Sequence, residues 1–200
     1  QRGEGEFAAW GSADSTLAYG PHWAQAATAP HRLYKSVTTE GGITSPTIIR
    51  YPGFARQQNG IDGHFATVMD IVPTVLELAG VEHPGTHYHG RTVEPLRGKS
   101  MVAYLQKKTD RVHDEDEAIG WELFGQRALR QGDWKADYVS EPNGSGRWAL
   151  YDLKQDPGER HDLSAQQPGR LKRLVALWED YARDMGVILD EQVVGPYTGL

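Results

Sequence analysis

Residues 118–153 read AIGWELFGQRALRQGDWKADYVSEPNGSGRWALYDL, and this stretch decides the fold of the C-terminal half. Three segments have strand character: Ala118–Phe124, Arg127–Val139 broken at Gly132-Asp133, and Arg147–Leu153. The dipeptides Gly125-Gln126, Gly132-Asp133 and Asn143-Gly144 stand where hairpin turns belong, because Gly and Asn accept the left-handed backbone of such turns. Close strands joined by tight turns predict an antiparallel sheet.

The element after the sheet is helical. Leu171, Leu174, Val175, Trp178, Tyr181, Ala182 and Met185 recur at i, i+3, i+4, i+7 spacing, with Lys172, Arg173, Glu179 and Asp180 on the other side. Pro168 suits the first turn and Gly186 the end, so a helix over 168–185 is expected on one face of the sheet.

Toward the N-terminus, Asp114-Glu115-Asp116-Glu117 lacks the glycine and spaced oxygen ligands of a calcium loop and reads as a solvated linker face. A short amphipathic piece, MVAYLQKK, precedes it, and residues 81–100 read as loop. Asp70–Gly80 predicts a helix, with Asp70 as N-cap, Pro73 in the first turn and Gly80 as C-cap. Val72, Val75, Leu76 and Ala79 would form its buried stripe. Thr47–Tyr51, between Pro46 and Pro52, reads as a strand of a parallel sheet covered on both faces. Strand and helix together make half of an α/β unit. Residues 1–20 read as loop, and residues 20–46 as a long irregular segment of the kind that usually carries function.

Composition removes several classes of function. The chain has 200 residues, a net charge of −6 with the two signs interspersed, and no cysteine. Without a basic stripe nucleic acid is not an expected partner, and without cysteine there is no disulfide, thiolate metal site or thiol nucleophile within the chain. No apolar run approaches a membrane span. A nucleophile elbow, P-loop, HExxH and dinucleotide fingerprint are all missing.

His83, His87 and His89, beside Glu82, are metal-ligand types. Pro84 and Gly85 between them give no convergent geometry, so the expectation is a polar loop that binds no functional metal. Lys35 stands in the irregular segment that precedes the expected strand. A lone lysine is ordinarily a solvated surface group; at the end of an α/β strand it can also set a point charge against an anionic ligand.

Three stretches resemble a known family. GPHWAQAATAPHRLYKSVTTEGGITSP is similar to the sulfatase segment that carries a substrate-binding lysine, and MDIVPTVLELAGV to a helix of that family. GWELFGQRALRQGDWKADYV with WALYDLKQDPGERHDL resembles the C-terminal sheet of bacterial arylsulfatases. The resemblance keeps its order from about Tyr19 to near Leu189.

It implies an alkaline-phosphatase-like α/β fold, of which residues 1–105 would be the C-terminal portion of the large domain. Residues 106–200 would be a small subdomain of antiparallel sheet plus helix. It also implies hydrolysis of sulfate esters by a formylglycine nucleophile with Ca2+, both supplied by an N-terminal half outside this chain. Lys35 alone carries over as a catalytic and substrate-binding residue that contacts the sulfate group. No C/S-x-P-x-R motif, the source of formylglycine, is present, so the chain by itself is expected to bind neither cofactor and to be inactive. The expected partners are a sulfate-ester small molecule and the N-terminal half, with neither nucleic acid nor membrane.

One departure bears on the loop. Where relatives usually carry arginine after the double glycine, this chain reads Gly41-Gly42-Ile43-Thr44-Ser45-Pro46. Two other readings stay open: a phosphate or phosphonate ester hydrolase of the same superfamily, and a non-catalytic packing or oligomerisation domain using Trp10, Tyr19 and Trp23.

Overall fold

The computed structural model describes residues 11–12, 20–54 and 60–189. The elements are α1 (Gly20–Thr28), α2 (Glu40–Ile43), α3 (Ile71–Ala79), β1 (His87–Tyr88), β2 (Arg91–Thr92), α4 (Val102–Leu105), β3 (Ala118–Leu123), β4 (Gln126–Gln131), β5 (Trp134–Tyr138), β6 (Trp148–Asp152) and α5 (Pro168–Met185). They fall into two compact units, residues 1–45 with 118–200, and residues 46–117. No helix among the described residues is long and apolar enough to cross a membrane.

In the first unit the sheet is antiparallel with strand order β3-β4-β5-β6. The β3–β4 turn is Phe124-Gly125, one residue earlier than expected, since Leu123 pairs with Gln126. Both turn residues have positive φ, 52° and 77°, as a two-residue hairpin twisted to match its strands demands. Gly132-Asp133 makes the next turn, with Gln131 paired to Trp134. Asn143-Gly144 lies in a longer connection, from Tyr138 to Trp148.

Helix α5 covers one face of this sheet. Leu174 and Trp178 are buried from its stripe and join Leu129, Ala136 and Leu150 in the core. Burying each such side chain fully contributes roughly 1.5–3 kcal/mol. The Trp178 indole Nε1 donates to the Trp121 carbonyl at 3.0 Å, so its polar end is satisfied. A Cβ at Gly120 would stand 2.4 Å from the Tyr181 ring; only glycine lets the helix sit this close to β3. Gly186, with φ 63°, ends the helix in a left-handed cap.

Several local expectations are corrected. Residues 20–28 are helical, not irregular. The helix has nine residues and buries none of them, so it shows no apolar stripe for a periodicity to reveal. Residues 87–92 form a minimal hairpin through His89 and Gly90, both at positive φ, where loop was expected. Glu117 of the acidic run is not simply solvated: it meets Lys99 Nζ at 2.6 Å and His113 Nδ1 at 3.1 Å. Trp23 is exposed, while Trp10 and Tyr19 lie outside the described residues.

The second unit differs most. Thr47–Tyr51 pairs with no strand among the described residues, and Ile48 is 96% exposed. A strand exists only as part of a ladder, and flanking prolines withhold donors from any local partner. Helix α3 forms with Gly80 as a left-handed cap, but its expected buried stripe is turned outward. Val72 and Val75 are 50% and 57% exposed, and the helix's buried residue is Thr74. Asp70 makes no side-chain cap to α3. Its carboxylate accepts from Thr67 N at 2.6 Å and Lys99 N at 2.8 Å, and lies 2.8 Å from His113 Nε2.

Candidate functional site

Lys35 is exposed at the tip of a loop between α1 and α2. The backbone on either side is strained: Leu33 has φ 59° and Ser36 φ 87°. A non-glycine residue in that region costs about 1–3 kcal/mol and persists only where surrounding contacts dictate it. Those contacts are present. Thr28 Oγ1 donates to the Leu33 carbonyl at 2.7 Å, and Thr39 Oγ1 and Gly41 N donate to the Arg32 carbonyl at 2.7 and 3.2 Å. A Cβ at Gly41 would sit 2.1 Å from the Leu33 oxygen, so the loop closes on itself only over glycine.

Beneath the loop lies a buried charge cluster. Lys135 on β5, fully buried, donates from Nζ to Glu40 Oε1 at 2.8 Å and is 2.8 Å from Glu159 Oε1. Glu159 Oε2 accepts the Glu40 backbone N–H at 3.0 Å. Asp137, two residues along the same strand face, accepts from Thr38 Oγ1 and Arg32 Nη2, each at 2.8 Å. Thr44 donates its hydroxyl to Glu40 Oε2 at 3.0 Å. Removing one partner of a buried pair like Lys135–Glu40 leaves an uncompensated charge, at a cost of about 3–5 kcal/mol.

The cluster fixes protonation. Burial opposes ionisation of all its members. For Lys135 the carboxylates of Glu159, Glu40 and Asp137 outweigh burial and raise its pKa above 10.5. For Glu40, burial is again outweighed, and Lys135 holds its pKa below the usual range. For Asp137 and Glu159 burial prevails and their pKa values are raised. Nearby Tyr151 is pushed from 10.0 up to about 12, chiefly by burial.

An alkaline limit on stability follows. Above about pH 10 an unfolded chain releases the Tyr151 and Lys135 protons while the folded chain keeps them. The folded state then binds more protons, and its stability falls as pH rises through the folded pKa values. Urea unfolding between about pH 9 and about pH 12 should show this slope, and Tyr151→Phe should flatten it. A slope unaltered by Tyr151→Phe would remove the tyrosine from the account.

Among the described residues no carboxylate pairs with Lys35. The histidines make local contacts instead of converging. His83 Nδ1 accepts from Gly85 N, His87 Nδ1 meets Thr86 Oγ1, and His89 packs edge-on against Tyr88. Among the described residues no three His, Asp or Glu side chains are placed to hold a metal ion. The clamp around Lys35 was not visible in sequence patterns: Asp137 lies 99 residues beyond Thr38 and 105 beyond Arg32.

The chain is similar to proteins of one kind. The family model described as N-sulphoglucosamine sulphohydrolase, C-terminal, matches residues 30–177. An uncharacterized sulfatase of Schizosaccharomyces pombe is 47% identical over 178 residues, covering 89% of this chain and 32% of that protein. An arylsulfatase of Klebsiella aerogenes is 36% identical over 99 residues, covering 49% of this chain and 21% of that protein. The crystal structure of Ps i-CgsB in complex with k-i-k-neocarrahexaose superimposes with a TM-score of 0.61 at 24% identity, over 78% of this chain and 32% of that one. That likeness is one of fold alone, a mixture of helices and antiparallel sheet. The chain spans about a third or less of the length of these relatives.

Proposed function

This chain belongs to the N-sulphoglucosamine sulphohydrolase C-terminal family of sulfatases, and from that membership we propose that it is the C-terminal portion of a longer enzyme hydrolysing sulfate esters, aryl sulfates among them. Its contribution to the reaction is Lys35. The observation that carries this reading is the placement of that residue: an exposed cation without a carboxylate partner among the described residues, held at the tip of a strained and cross-braced loop. Strain retained around a charged side chain marks a group positioned for a ligand.

Lys35 would meet a sulfuryl oxygen, binding the ester and stabilising the negative charge that grows as the ester bond breaks. The family resemblance implies a formylglycine nucleophile and Ca2+ in the complete enzyme, which supply the attacking oxygen and a second positive charge on the sulfate. Neither fits the residues of this chain: it has no cysteine and no C/S-x-P-x-R motif, and its described residues offer no metal ligand set. Both therefore belong to the N-terminal part in this proposal, and no step is assigned to them here.

That N-terminal part is also the proposed partner in packing. The outward apolar face of α3, with Val72 and Val75, and the unpaired run Ile48-Ile49 are surfaces it would cover. In the complete protein, residues 1–105 continue the large α/β domain and 106–200 form the small subdomain.

The test compares esters of one phenol. The complete protein should hydrolyse the aryl sulfate with a kcat/KM well above that for the corresponding phosphate monoester. A preference for the phosphate ester would move the chain to a phosphate-cleaving relative, and hydrolysis of neither would support a packing role.

A further inference from the structure

The geometry points to Asp137 as the positioning residue for Lys35, acting through Thr38 and Arg32. This rests on the reading of Lys35 as the sulfate-contacting residue. Lys35 is three residues from Arg32 on one side and three from Thr38 on the other, and the single Asp137 carboxylate takes one donor from each. Oδ2 accepts Arg32 Nη2 and Oδ1 accepts Thr38 Oγ1, both at 2.8 Å. One carboxylate therefore ties together the two legs of the turn at whose tip the lysine stands.

Asp137 is itself fixed. It is 1% exposed on β5, a central strand whose neighbours pair with it on both sides. The loop is thus registered against the rigid sheet and not merely against itself. Asp137 also sits on the strand face that carries Lys135, whose partners Glu40 and Glu159 anchor the end of the same loop. With Leu33 and Ser36 at positive φ, the turn has a conformation it would leave if a leg were freed. The lysine would then sample positions away from the sulfuryl oxygen. A displacement of about 1 Å in a positioned group can cost on the order of a hundredfold in rate.

The experiment uses the complete enzyme and an aryl sulfate. Thr38→Val removes one leg's hydroxyl while leaving the Arg32–Asp137 pair in place. It should lower kcat roughly tenfold, with Thr38→Ser restoring most of the loss. In a Lys35→Ala background Thr38→Val should have no further effect, because nothing remains to be positioned. Arg32→Gln, at a part-exposed position, frees the other leg and carries the same test should Thr38→Val not fold. If the folded variants keep wild-type kcat and KM, or if their losses add in full to that of Lys35→Ala, Asp137 is a structural residue only and the inference fails while the role of Lys35 stands. If Lys35→Ala alone leaves the rate intact, the role of Lys35 fails and this inference with it.

Discussion

The isolated 200-residue chain should hydrolyse a chromogenic aryl sulfate at the background rate, with or without added Ca2+, under conditions where the complete protein turns over. Cleavage of a sulfate ester needs a nucleophile placed in line with sulfur, positive charge on the sulfuryl oxygens, and help for the departing oxygen. In the proposed enzyme the chain provides a share of the second through Lys35. It has no thiol and no motif from which an aldehyde nucleophile is made. Groups that act as a unit do not leave proportional activity when most are taken away, so the expected loss is close to complete. The isolated chain should also self-associate. Ile48 at 96% exposure, Val72 at 50% and Val75 at 57% present apolar surface to water. Sedimentation of the chain and of the complete protein at equal concentration would show the difference. Turnover by the chain alone at a rate near that of the complete protein would place the active site within these residues and overturn the proposed division of labour.

The parts of this fold that were legible in the sequence are those decided locally. The antiparallel sheet could be read because Gly125 and Gly132-Asp133 sit at its turns. Helix α5 could be read because it runs for 18 residues with its period intact and buries that stripe within the same unit. Helix α3 has an equally clear stripe, yet it points outward. Periodicity identifies the apolar face but not what covers it, and its cover belongs to chain beyond these residues in the proposed enzyme. Lys135 and Asp137 show the opposite failure. Two charged residues alternate with Ala136 along β5 and give no apolar signal, yet both are buried beneath the loop of residues 30–44. What buries them is a set of ion pairs and hydrogen bonds made across about a hundred positions, a separation that no local pattern encodes. A resemblance of motifs marks Lys35 as the proposed site residue, while the contacts that brace its loop lie far along the chain from it.

Lys35→Ala in the complete enzyme should lower kcat for an aryl sulfate by about a hundredfold or more, as removal of one preorganised transition-state donor does. The size of the effect depends on where the charge sits. On an open surface, water screens a cation near an anion until little remains. In a cleft closed by the rest of the protein, the same pair interacts several times more strongly. A strained loop braced from beneath gives the lysine little freedom to lose on binding, so most of the interaction is available to the reaction. Negative charge builds on the departing oxygen as the ester bond breaks, so the loss should fall more on kcat than on KM. Lys35→Arg should recover only part of the rate, because a planar guanidinium does not place its charge where an ammonium does. Thermal unfolding should barely change, since Lys35 is exposed and pairs with no carboxylate among the described residues. An undiminished kcat for Lys35→Ala, in a protein of wild-type stability, would return Lys35 to the ordinary population of surface lysines and leave the braced loop without a chemical purpose.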